Sequence, residues 1–170
     1  GLHVRESQIH NEFYKLIQSK TDLNYSYYIY RITLKKVTGD YSKDRMAGQL
    51  LAKKYIVPHA TKQKYDLAVD VHSTSGISYK YSYFIHVPKN KDKASLKYAY
   101  KTINAIKSME SNSQIRYWSP DSQTSPPYLT LPLINSGTPT IIFETLSSEK
   151  VSRTKYRANL LIKAVDTLFG

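Results

Sequence analysis

The chain has 170 residues, 41% of them hydrophobic, which is enough for one domain with its own core; no apolar run reaches the roughly 18–20 residues of a membrane span. It has no cysteine, which excludes disulfides and thiolate metal ligands and leaves the compartment undecided. The net charge of +12 comes from 25 Lys plus Arg scattered through every segment, so it reads as a solvated basic surface. Although 16 tyrosines interleave with the basic residues, no nucleic-acid module is recognisable, and nucleic acid is not the expected partner.

In chain order, residues 7–18 carry Ile9, Phe13, Leu16 and Ile17 at helical spacing, with Ser7 as the expected cap. Residues 22–24 form a turn. Residues 27–37 (YYIYRITLKKV) alternate and are rich in β-formers, which predicts a strand. Ser42 is expected to cap a second helix with Met46, Ala47, Leu50, Leu51 and Tyr55 on its apolar face, ended by Pro58. The run Leu67, Ala68, Val69 and Val71 reads as a strand buried on both faces, and 81–87 (YSYFIHV) as another, closed by Pro88.

Residues 93–109 show a third helical pattern. Residues 111–127, rich in Ser, Pro, Asn and Gln, form a long loop of the kind that rims a site. A short apolar piece at 128–134, a buried strand at 140–144 and a closing helix over 151–169 complete the chain. Strands alternating with helices imply a single-domain, three-layer α/β sandwich with a mostly parallel, mixed central sheet.

Three short stretches carry the chemistry: 1–7 (GLHVRES), 66–74 (DLAVDVHST) and 137–145 (GTPTIIFET). His72 ends a buried strand, the position where open α/β sheets bind their ligands. Asp70, two residues earlier, shares that face and is placed to accept the second imidazole N–H and fix its tautomer. Glu144 ends an apolar strand, where a carboxylate is costly to bury unless it is paired, metal-bound or functional. His3 and Glu6 lie just before the first helix. Two histidines and a carboxylate are a common zinc set, and a second carboxylate can act as base, so the expected class is a metal-dependent hydrolase.

The motif Gly1-Leu2-His3-Val4-Arg5-Glu6 resembles the G-x-H-x-x-E signature of zinc carboxypeptidases. The likeness is greatest to the deacylase branch holding succinylglutamate desuccinylase and aspartoacylase. Asp70-Val71-His72-Ser73-Thr74 resembles that branch's D-x-H-S/T strand end, and the stretch from Gly137 to Glu144 resembles its G-x-P-x-x-x-x-E. Lys43-Asp44-Arg45-Met46-Ala47 is similar to its E-x-R-x-A helix. The resemblance spans nearly the whole chain. It implies a zinc carboxypeptidase-like fold, Zn²⁺ on His3, Glu6 and His72 with water in the fourth position, and Glu144 as general base and proton shuttle.

Two departures stand out. The family's Asn-Arg substrate clamp has no counterpart, which leaves Arg45 and Arg31 as the leading replacements, with Arg5 and Arg116 behind them. There is also no room for aspartoacylase's extra β domain. The expected partner is a small amide or peptide substrate, of acidic character given the basic surface. A cell-wall-type amidase and a non-catalytic module for an anionic polymer are the alternatives.

Overall fold

The computed structural model describes residues 6–76, 79–88, 92–120 and 126–169. Helix α1 (Ser7–Ser19) forms as its spacing predicts, burying Ile9 and packing Phe13 and Leu16 on the core. Ser7 does not cap it. Glu6 holds the N-cap position without a side-chain cap bond, its carboxylate turned elsewhere.

Helix α2 (Tyr41–Leu51) is capped by Asp40, whose Oδ1 accepts from the backbone N–H groups of Ser42 and Lys43. The expected Ser42 cap is therefore displaced by two residues. A π-helical turn (Ala52–Ile56) carries α2 into α3 (Val57–Gln63), so Pro58 does not stop the run. It sits in α3's first turn, where a missing N–H costs little. The buried face is also rotated from expectation: Gly48, Gln49, Ala52 and Ile56 point inward, while Met46, Leu50 and Tyr55 are exposed.

The sheet has four strands in the order β1-β4-β2-β3: β1 (Ala68–Thr74), β2 (Phe84–His86), β3 (Arg116–Tyr117) and β4 (Thr140–Leu146). β1 runs parallel to β4 and β2 parallel to β3, while β2 and β4 are antiparallel. The sheet is mixed and lies between two helical layers, the expected α/β sandwich. Residues 27–37 form no strand, and Lys35 and Lys36 lie in a bend. Of the expected strand at 81–87, three residues pair as β2.

Alternation along β4 sorts the two layers. Ile141 and Phe143 face α1, α4 (Lys93–Met109) and α6 (Val151–Val165), in a core with Ile85, Ile103, Ile106 and Leu161. Ala68 lies in a second cluster with Ile56 and Ala60 of the α2/α3 run and Leu129 and Leu133 around α5 (Thr130–Asn135). Gly137, at φ +93°, turns the chain out of α5 toward β4, a conformation that favours glycine. Ser95 Oγ then accepts from Thr140 N–H at 2.8 Å, tying the start of α4 to the start of β4. Among the described residues no helix is long and apolar enough to cross a membrane.

Candidate functional site

Asp70, His72, Ile142, Glu144, Phe84 and His86 occupy alternate positions of three adjacent strands and so share one face of the sheet. His72, Glu144 and Phe84 form one row across it; Asp70, Ile142 and His86 form the next. The face is the one covered by the α2/α3 run and α5. The rows lie toward the carboxyl ends of the parallel pair β1 and β4, where α/β sheets bind ligands.

Glu6 enters from the start of α1. Its Oε2 accepts from His72 Nδ1 at 2.9 Å, and both side chains are buried. Asp70 Oδ2 lies 2.9 Å from Nε2 on the other side of the ring, an ion-pair contact. The imidazole is thus held between two carboxylates. Burial opposes its protonation, but Asp70 and Glu6 outweigh that and raise its pKa well above 6.5.

Glu144 is buried beside His72. Burial pushes its carboxyl up to about 8, with Glu6 and Asp70 adding to the shift and His72 and Arg45 opposing it. A carboxyl group of that pKa can give or take a proton near neutral pH.

Arg45, on α2, is thus within electrostatic reach of Glu144, and it also acts on Tyr79. Arg31 is held elsewhere: its guanidinium donates to Asn11 Oδ1 at 2.6 Å and lies over the Tyr14 ring, both on α1. It therefore belongs to the outer face of α1 and not to this cluster. His3 and Arg5 lie outside the described residues.

Four groups beside the cluster carry no motif in the sequence. His10, one turn after Glu6, has Nε2 3.7 Å from Glu6 Oε2 and donates it to the Val71 carbonyl at 2.8 Å. His86, on β2, is buried with no hydrogen-bond partner for Nδ1 among the described residues. Burial pushes both imidazoles down to about 3. Tyr79 and Trp118 pack edge-on against each other and against Phe84, forming an aromatic wall beside Glu144. One signal pointed to His86: FIHV repeats the apolar-then-histidine pattern of VDVHS.

Among the described residues no group of three side chains converges as a metal site. The donor types nevertheless suit zinc. An imidazole and a carboxylate already meet at 2.9 Å, against about 3.3 Å for two atoms sharing a tetrahedral Zn²⁺ at roughly 2.0–2.1 Å. A small separation of Glu6 and His72 would admit the ion, and His3 is near enough in sequence to add a third donor.

No known family's sequence pattern matches the chain, and no curated protein sequence does. A search of solved structures finds the CwlD amidase from Clostridioides difficile, in complex with the GerS lipoprotein. The TM-score is 0.51 at 13% identity, covering 93% of this chain and 81% of that one. At that identity the likeness concerns architecture alone: the two chains share an α/β sandwich fold.

Proposed function

We propose that the chain is a zinc-dependent hydrolase of an amide or peptide bond, related to the zinc carboxypeptidase-like enzymes. The observation that carries this reading is Glu144, a buried carboxyl with its pKa pushed up to about 8 beside the Glu6–His72 pair. Held by His3, Glu6 and His72, zinc would polarise a substrate carbonyl and acidify water.

The protein's own residues supply the rest. Glu144 takes the proton of the attacking water and delivers it to the leaving amine, both within its titration range. Asp70 holds the His72 ring from the Nε2 side and fixes its orientation. Arg45 supplies positive charge for a carboxylate on the substrate, in place of the absent Asn-Arg clamp. The wall of Tyr79 and Trp118 gives the substrate's ring or apolar portion a stacking surface.

The fold shared with the CwlD amidase supports an amidase over a terminal peptidase as the second reading within this class. A set of amide substrates distinguishes them, with and without a free carboxylate next to the scissile bond. The test of the proposal is turnover of zinc-loaded Glu144→Gln beside wild type. Loss of about 10²-fold or more with zinc still bound supports it. Equal turnover in the variant contradicts it.

A further inference from the structure

The row of side chains across the candidate site does not stop at Phe84. Phe84 is in register with Arg116 of β3, so His72, Glu144, Phe84 and Arg116 stand side by side across all four strands, on one face of the sheet. Tyr117 points the other way and stacks on Tyr100 of α4. At about 4.8 Å per strand, the backbone of Arg116 stands about 10 Å from that of Glu144.

The surface between them is aromatic. Burial raises the pKa of the Tyr79 phenol and the Glu144 carboxylate adds to the shift, which puts Tyr79 beside the cluster. Tyr79 meets Trp118 edge-on, with ring centroids 5.4 Å apart, and Trp118 meets Tyr81 in the same way at 5.7 Å. All three rings are half-buried, so each keeps part of its surface open.

The aromatic track ends in positive charge. The Arg116 guanidinium lies 4.3 Å from the centroid of the Tyr81 ring, and Lys80 Nζ lies 5.4 Å from it. Hydrogen bonding from Lys80, and then from Arg116, holds the Tyr81 phenol below its usual pKa. Arg116 also donates to Gln114, through Nε to the carbonyl at 3.3 Å and through a terminal nitrogen to Oε1 at 3.4 Å. Among the described residues neither Arg116 nor Lys80 has an acidic partner within ion-pair distance, whereas Arg153 and Arg157 pair with Glu110 and Glu149. Two cations gathered on one hydroxyl without a counter-charge attract an oxyanion.

We propose that Arg116, Lys80 and the Tyr81 hydroxyl form a subsite for an oxyanion of the substrate, carried about 10 Å from the bond cleaved, with the portion between resting on Tyr79 and Trp118. The role rests on the hydrolase reading of Glu144; the ligand chemistry rests on the subsite itself. The substrate class is an amide with a ring or apolar spacer and, beyond it, a carboxylate or phosphate. The subsite is separate from Arg45, which reaches Glu144 from α2.

The chain's one tryptophan is Trp118, so its fluorescence reads occupancy without metal or turnover. Quenching is titrated with 3-phenylpropionate, 2-phenylethyl phosphate and the neutral 3-phenylpropanamide. The proteins are metal-free wild type, Arg116→Gln, Lys80→Gln and a control, Lys97→Gln, an exposed lysine of α4 whose loss changes net charge equally. The proposal expects one or both anions to bind about fivefold tighter than the amide in wild type and control. That preference is expected to vanish in Arg116→Gln and to shrink in Lys80→Gln, and the tighter anion identifies the group. Equal binding of all three probes overturns the proposal, as does a preference that survives Arg116→Gln or is lost equally in Lys97→Gln. An anion preference in a protein that turns over no amide keeps the subsite and removes the hydrolase reading; turnover without the preference removes the subsite alone.

Discussion

His72 Nδ1 and Glu6 Oε2 stand 2.9 Å apart, although 66 positions separate them in sequence. The contact joins the end of β1 to the start of α1, and Asp70 holds the opposite side of the ring. Removing one partner of a buried charged pair leaves the other uncompensated, at a cost of about 3 kcal/mol or more. Glu6→Ala is therefore expected to lower metal-free stability by that order in urea unfolding. A change under about 0.5 kcal/mol would mean that the pair is not formed.

The buried ionisable groups set a pH optimum for metal-free stability. His10 and His86 refuse protons until about pH 3, while the unfolded chain accepts them below 6.5, so stability climbs from pH 3 to 6.5. Glu144 acts in the opposite sense. Between 4.5 and about 8 the folded chain keeps a proton that the unfolded chain has released, so stability falls across that window. His72, its pKa raised well above 6.5 by Asp70 and Glu6 against burial, adds to the fall above 6.5. The urea midpoint is expected to peak close to pH 6.5 and to decline on both sides. A flat profile from 6.5 to 8 would contradict the burial of Glu144.

Glu144→Gln should separate stability from activity. At pH 9 the wild type holds a buried carboxylate, and a shift from 4.5 to about 8 corresponds to at most about 5 kcal/mol. The neutral variant is expected to be more stable there by more than about 1 kcal/mol while losing turnover. A variant less stable than wild type at pH 9 would show that Glu144 serves as a structural anion.

Arg45 lowers the pKa of Glu144. Arg45→Met should move the ascending limb of the pH–rate profile to higher pH. It should also raise KM for substrates with a carboxylate more than for neutral ones. An unshifted limb with unchanged KM would remove Arg45 from the site.

The legible parts of the sequence were those in which local pattern and tertiary role coincide. Apolar runs ending in His72 and Glu144 announced buried strands, and helical spacing located α1 and α4. Where a neighbour decides the outcome, the pattern misled. Residues 27–37 alternate as a strand does, but pairing requires an adjacent strand that the described residues lack. Asp40 displaced Ser42 as cap because its carboxylate reaches two backbone N–H groups. Pro58 stayed within a helical run because a π-turn precedes it. His10 and His86 reach the cluster only through packing of α1 and β2, which no short motif encodes.

The measurement that tests the central claim most directly is zinc content by elemental analysis, in wild type and in His72→Ala, after zinc addition and removal of unbound metal. The account predicts close to one zinc per chain in the wild type and a loss of bound zinc in the variant. No zinc in either protein, or equal zinc in both, would contradict it.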